Sequence, residues 1–223
     1  MKTLVFSDTH LGQGKFFEEK KYRFLERIIK DSDHVIINGD FWDGFFITFE
    51  QFRDSPYKHL FPLLKSKKTV YIPGNHDDTG MSEPLTSLFA ENKTLRHEFT
   101  HQHLNFVLEH GDQQIEIFKT EKAILKKNRV HIARGLNKIE YFITRNFKDV
   151  KMLKAGQKRY NTVIKKSIKK FLKEDQIFIC GHTHLAEFNL KERFINTGMI
   201  KHGLAQYLII ENGTLTPKEE WYA

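Results

Sequence analysis

Four short apolar, β-branched runs, each ending in a group of Asp, His or Asn residues, constrain this chain more than any other feature. Thr3–Phe6 runs into Ser7-Asp8-Thr9-His10, His34–Asn38 into Gly39-Asp40, Thr69–Ile72 into Pro73-Gly74-Asn75-His76-Asp77, and Gln176–Cys180 into Gly181-His182-Thr183-His184. Runs of this length and composition read as buried strands. Between the first two, Phe17, Tyr22, Phe24, Leu25, Ile28 and Ile29 recur at helical spacing. Phe46 to Leu64 reads as helical in part, interrupted by Pro56 and Pro62. Strand, polar loop, helix and strand again is the rhythm of an α/β sheet with parallel connections, in which ligands gather beyond the carboxyl ends of the strands.

The pattern then turns more β-like. Thr94–Phe99 and Leu104–Glu109 read as paired strands, the second leading to His110-Gly111-Asp112. Ile115 to Phe171 reads as mostly helical and basic. Short strands at Glu187–Leu190, Arg193–Asn196, Ala205–Glu211 and Thr214–Thr216 close the fold, with Asn212-Gly213 as a two-residue hairpin turn. We expect one domain over residues 1–223, with a basic helical cap inserted at about 113–174. A lone cysteine, Cys180, excludes an internal disulfide and suits a reducing compartment. The N-terminus has no signal-peptide pattern, and no apolar run approaches the ~20 residues needed to cross a bilayer. The expected location is cytoplasmic, with room for peripheral contact at the inner membrane face.

Taken singly, each polar motif is a weak signal. An Asp and a His two apart are common in loops, Gly39-Asp40 reads as a turn with a capping Asp, and Pro73-Gly74-Asn75 is ordinary turn chemistry. Five such motifs in sequence, four of them opening at the end of a buried run, are another matter. Together they offer oxygen and nitrogen donors with no thiolate, a set that suits Mn, Fe or Zn better than a sulfur-rich structural site. Two cations roughly 3.5–4 Å apart can clamp a phosphoryl group and activate water between them.

Asp8-Thr9-His10, Gly39-Asp40-Phe41-Trp42-Asp43, Gly74-Asn75-His76-Asp77, His110-Gly111-Asp112 and Gly181-His182-Thr183-His184 resemble, in order, the motif set of the calcineurin-like metallophosphoesterase superfamily. The resemblance implies a four-layer α/β/β/α sandwich with the metals at one rim. It implies one ion held by Asp8, His10, Asp40 and His184, and a second held by Asp40, Asn75, His110 and His182, with Asp40 bridging. Two divalent ions are expected, Mn2+ first, with Fe, Zn, Co or Ni as substitutes. Asn75 would also touch substrate phosphate, and His76 would stabilise the transition state or protonate the leaving oxygen. Asp77 or Asp43 would orient His76, and Asp112 reads as a turn or supporting residue. The implied chemistry is in-line attack on phosphorus by a hydroxide held on the metals.

Two further features bear on the substrate. From Lys119 to Lys173 there are 18 Lys/Arg against three Asp/Glu, a local net charge of +15, while the rest of the chain sums to −7. Such asymmetry indicates an anionic partner, although a charge run is as often a solvated helical face. Phe41, Trp42, Phe45, Phe46, Phe49 and Phe52 follow the bridging Asp40; some of them must pack in the core, and Phe41, Trp42, Phe45 and Phe46 are the candidates for an apolar substrate slot. Slot, cap and basic surface resemble the UDP-2,3-diacylglucosamine pyrophosphatase branch, which implies a lipid-linked substrate and contact with an anionic membrane. That branch usually carries Arg where this chain has His76. Nucleic acid is the second choice of partner, since a basic cap with aromatic residues also suits a phosphate backbone. A nuclease, another nucleotide phosphodiesterase and a phosphomonoesterase are the alternative activities.

Overall fold

Alternation of side chains along β1 (Lys2–Phe6) sets the layering. Leu4 and Phe6 enter one apolar cluster, and Val5, pointing the other way, enters a second. The same division recurs in β2 (His34–Asn38), where Val35 and Ile37 face the first cluster and Ile36 the second. It recurs again in β3 (Val70–Ile72), where Tyr71 opposes Val70 and Ile72. A strand apolar on both faces has to be covered on both faces, and here it is. The computed structural model describes residues 1–13, 15, 17–77, 83–115, 135, 138–140, 142 and 151–222.

The first sheet runs β4 (Asn92–Lys93), β3, β2, β1, β11 (Leu204–Glu211), β12 (Thr214–Trp221), with β10 (Ile200–Lys201) paired to the opening residues of β11. β1 to β4 are parallel, whereas β11 is antiparallel to β1. The second sheet runs β5 (His97–His101), β6 (Leu104–Leu108), β7 (Gln176–Cys180), β9 (Phe194–Asn196), β8 (Glu187–Asn189). Val5, Ile36, Ile72, Phe106, Leu108, Ile179 and Leu208 fill the space between the sheets.

The outer face of the first sheet is covered by α1 (Glu19–Lys30), α2 (Phe49–Asp54), α3 (Phe61–Ser66) and the segment leading into them. α1 buries Phe24, Leu25, Ile28 and Ile29 on one face and ends in Arg27 and Lys30, which suit the negative end of its dipole. α2 opens with a capping box between Thr48 and Gln51. Pro56 and Pro62 each stand at the start of a new helical segment, which divides the expected Phe46–Leu64 helix into α2, a 3-10 turn at Pro56–Leu60 and α3. A four-residue helix, α4 (Glu83–Thr86), precedes Phe89, which joins the same cluster. On the far side, α5 (Lys151–Ile168) sets Ile164 and Ile168 against Val107, Phe178 and Phe194 of the second sheet. The outcome is helix, sheet, sheet, helix, as expected.

Asn212 and Gly213 both have positive φ, 50° and 74°, and join β11 directly to β12, the expected two-residue hairpin. β12 extends to Trp221, well beyond the expected Thr216, and β10 and β4 were not anticipated, being two residues each. Much of the expected cap at about 113–174 lies outside the described residues. Among those described, Asp112–Gln114 forms a 3-10 turn and α5 supplies the helix nearest the body. Among the described residues no helix is long and apolar enough to cross a membrane.

Candidate active site

The carboxyl ends of β1, β2, β3, β6 and β7 converge on one rim, where the two sheets are tied together. Asn38, the last residue of β2, donates from Nδ2 to the Ile179 carbonyl of β7. Ser7 and Thr197 share a 2.8 Å hydroxyl contact, and Gly181 N donates to His110 O. The loops past β1 and β2 interlock through Asp8 N to Gly39 O and His10 N to Asp40 O. Lys21 of α1, buried, donates to Thr9 O at 3.1 Å and supports the same turn.

The turns at this rim carry unusual backbone. Asp8, His10, Asp40, His182 and His184 have φ of 53°, 44°, 51°, 68° and 57°. Non-glycine residues rarely adopt this left-handed region, and each such residue costs roughly 1–3 kcal/mol. Half of the ten described non-glycine residues with positive φ lie in these motifs, so the strain gathers where the motif loops meet. Close approach does the rest: a Cβ on Gly74 would collide with Asp40 Oδ1 and His110 Nε2, and one on Gly181 with Asp8 Oδ2 and Ser7 Oγ.

Both central carboxylates use one oxygen on backbone and present the other to imidazoles. Asp40 Oδ1 accepts from His76 N at 2.8 Å, while Oδ2 stands 3.6 Å from His10 Nε2 and 3.4 Å from His110 Nε2. Asp8 Oδ2 accepts from His182 N at 2.9 Å, while Oδ1 stands 3.3 Å from His184 Nε2 and 3.9 Å from His10 Nε2. Three imidazoles are fixed through Nδ1: His110 donates to Asn38 O at 2.9 Å, His10 to Asp43 Oδ2 at 3.2 Å, and His184 to Glu140 Oε1 at 2.6 Å. With Nδ1 occupied by an oxygen acceptor, Nε2 is the nitrogen left for a ligand bond.

Two groups follow from these contacts. Asp8, His10 and His184 present donor atoms within 4.8 Å of one another, and so do Asp40, His110 and His182. Asn75 Oδ1, Asp8 Oδ1 and His110 Nε2 are buried without a hydrogen-bond partner, a costly arrangement unless a cation satisfies them. His10 Nε2 and His184 Nε2 stand only 3.1 Å apart, two nitrogens that need a proton or a cation between them. The donor set is oxygen and nitrogen throughout, so the residues fit a pair of divalent cations. A third group, His10, Asp43 and His76, reads as a brace, because Asp43 Oδ2 is hydrogen-bonded to His10 Nδ1 at 3.2 Å and Oδ1 makes an ion-pair contact with His76 Nδ1 at 3.1 Å.

Electrostatics agree with that division. Burial favours the neutral form of Asp40, but the His110 and His76 imidazoles outweigh it and hold the carboxyl well below its usual range. Burial, with Lys201 and His76 acting in the same direction, pushes His10 down to about 4. Burial and the neighbouring His110 push His182 down to about 3. Burial also opposes charge on His184, yet Glu140 and Asp8 overcome it and raise that ring to about 9. His110 is raised in the same way by Asp40. Without a metal, therefore, protons on His110 and His184 balance the two carboxylates.

The supporting residues separate cleanly. Asp43, rather than Asp77, faces His76; Asp77 accepts from Trp42 N and Gly74 N and so braces two motif loops against each other. Asp112, buried, is the first residue of the 3-10 turn and accepts from Gln113 Nε2. The aromatic run needs correction. Phe41 and Trp42 are core residues, 0% and 1% exposed; Phe41 packs on Phe6, Phe52 and Phe89, and Trp42 stacks on Phe52. Both follow Asp40 into the helical layer, so neither offers a face to a ligand. Phe45 is half-buried with its ring centroid 4.3 Å from that of His76, and Phe46 is half-buried beside it in sequence. Glu140, Lys201 and Lys21 were missed at the sequence level. The one available signal was an acidic residue inside a strongly basic stretch, which applies to Glu140 alone.

A two-sheet sandwich that gathers two Asp/His groups on one rim defines the class of dinuclear-metal hydrolases. The chain belongs to the calcineurin-like phosphoesterase family, whose model matches residues 1–186, and it is a metal-dependent phosphoester hydrolase. Among solved structures it is similar to a dimetal phosphatase from Danio rerio, at 10% identity and a TM-score of 0.50, covering 100% of this chain and 96% of that one. It is also similar to Yfce, a phosphoesterase from E. coli, at 16% identity, TM-score 0.49, and 96% and 91% coverage. The nuclease MPE of Pseudomonas putida matches at 14% identity, TM-score 0.41, and 97% and 87% coverage. No curated protein matches the chain significantly.

Proposed function

We propose that this protein hydrolyses a phosphodiester or pyrophosphate bond at a dinuclear site, with manganese as the working metal. One ion would be held by Asp8, His10, Asp40 and His184, the other by Asp40, Asn75, His110 and His182. The observation that carries this reading is Asp40 Oδ2, a single carboxylate oxygen facing His10 Nε2 from one group and His110 Nε2 from the other. When bound, the two cations supply Lewis acidity and neutralise charge on the phosphoryl oxygens. The protein's own groups do the positioning. Asn75 keeps a buried amide oxygen without a hydrogen-bond partner, available to a cation, and His76, 21% exposed at its side chain, is the proton donor to the leaving oxygen. Asp43 Oδ1 stands 3.1 Å from His76 Nδ1 as an ion-pair partner, which leaves Nε2 for that transfer.

The substrate we propose is a nucleotide-linked lipid precursor of the UDP-2,3-diacylglucosamine type, met at the cytoplasmic face of a membrane. Ile139 and Phe142, 53% and 58% exposed on either side of Glu140, support an apolar substituent close to the metals. Lys158, Arg159, Lys166, Lys169 and Lys170, exposed along and just beyond α5, support an anionic surface. The same basic face favours a second reading, a nuclease. Manganese-supplemented assays of UDP-diacylglucosamine, single-stranded nucleic acid, bis-p-nitrophenyl phosphate and p-nitrophenyl phosphate separate these. The lipid reading predicts turnover of the first and third; monoester turnover alone contradicts the diester or pyrophosphate assignment.

A further inference from the structure

Glu140 is where the basic insertion meets the ligand cluster. Its Oε1 lies 2.6 Å from His184 Nδ1, and its Oε2 lies 2.5 Å from Lys201 Nζ and 3.4 Å from His202 Nε2. Both oxygens are therefore committed, one to a ligand imidazole and one to two donors from β10 and the turn after it. The other described residues of the segment 116–150, Gly135, Lys138, Ile139 and Phe142, are exposed, whereas the Glu140 side chain is 19% exposed. Within 116–150, then, the described residue that reaches the site does so through a carboxylate, while farther along the insertion Ile164 and Ile168 of α5 pack on the second sheet. Lys201 is 3% exposed at its side chain, so the carboxylate also serves as counter-charge to a buried ammonium. The stretch from Lys119 to Lys173, which includes it, has only three acidic residues, Glu121, Glu140 and Asp149, against 18 Lys/Arg.

We infer that Glu140 is a positioning residue of the metal centre, supplied by the insertion: by accepting Nδ1–H of His184 it fixes the ring so that Nε2 points at Asp8, and Lys201 and His202 hold the carboxylate in place. The inference rests on the reading of Asp8, His10 and His184 as one metal site. A carboxylate on the remote nitrogen of a ligand histidine raises that ligand's basicity and sets its orientation, and its removal typically costs about 10–100-fold in metal affinity. The effect belongs to one ion, because among the described residues Glu140 touches His184 and none of the ligands in the Asp40, His110 and His182 group.

The test is calorimetric titration of the chelator-stripped full chain with Mn2+, for wild type, Glu140→Gln, Glu140→Ala and Lys201→Met, with thermal unfolding of each metal-free protein alongside. Wild type takes up two ions. Glu140→Ala weakens one of them by about 10–100-fold and leaves the other at wild-type affinity. Glu140→Gln, whose amide oxygen still accepts from Nδ1–H, loses less at the same site, and it carries the test if the alanine variant does not fold. Lys201→Met, which frees the carboxylate on one side, weakens that same ion. Wild-type affinity for both ions in Glu140→Ala and Glu140→Gln overturns the inference. So does an equal weakening of both ions that tracks a fall in thermal stability, the mark of a merely structural tie. Failure of the wild type to bind two ions overturns the dinuclear reading itself, and this inference with it.

Discussion

His76 and Asp43 show how this site divides labour between neighbours. Asp43 spends both oxygens on imidazoles, 3.2 Å from His10 Nδ1 and 3.1 Å from His76 Nδ1, so one carboxylate orients a ligand and the proton donor together. His76→Gln should lower kcat by roughly 10²–10⁴-fold while both ions remain bound; initial rates and metal analysis on the same sample check this. Asp43→Asn should lower both turnover and metal affinity, because it loosens His10 as well. At Gly181 the constraint is space. A methyl group there meets Asp8 Oδ2 and Ser7 Oγ, so Gly181→Ala should cost about 1–3 kcal/mol of stability and displace the ion next to Asp8, as read by denaturation and metal content. The strained residues were not legible singly: Asp and His enter positive φ more often than most side chains, but nothing marks which of them do, whereas Asn212-Gly213 announces its turn because the pair is a standard two-residue hairpin turn.

Elements reveal why much of the fold was legible and part of it was not. β2 and β7 begin and end where the apolar runs His34–Asn38 and Gln176–Cys180 do, because buried strands have both faces apolar and leave little room for a shift of boundary. The ends of those strands carry His and Asp motifs, so the placement of ligand-type residues beyond strand ends was readable, while their gathering at one rim across two sheets was given only by the family resemblance. Which members of the aromatic run pack and which face the rim was not legible, for a physical reason. A strand-terminal turn sends its next residues either over the rim or back into the adjoining layer, and residue type does not distinguish the two. Here Phe41 and Trp42 turn back under α2, and only Phe45 reaches His76. Phe41→Ala should therefore cost about 3–5 kcal/mol of stability, in the range of large core truncations, with KM for a soluble diester unchanged in the protein that remains folded. A shifted KM at unchanged stability would return Phe41 to the substrate.

For the whole molecule, metal and proton compete for the same nitrogens. His184, held near 9 in the metal-free protein, must lose its proton to bind a cation. Apparent Mn2+ affinity should therefore climb with pH up to about 9, close to tenfold per unit from this group, and uptake below that pH should release protons. Calorimetry in buffers of different ionisation enthalpy detects the release; pH-independent uptake would contradict it. At the same scale we propose that residues 1–223 act as one unit, with the basic insertion joining substrate or membrane to the rim. Nothing in its composition could choose between a solvated helical face and a docking surface, because Lys and Arg suit both.

The most direct measurement is metal content and bis-p-nitrophenyl phosphate turnover on Mn2+-reconstituted wild type and Asp40→Ala, side by side. If Asp40 joins two cation sites, the wild type carries two ions per chain and turns over, and the variant loses metal and turnover together. An Asp40→Ala protein that keeps both ions and full metal-dependent turnover would contradict the account at its centre.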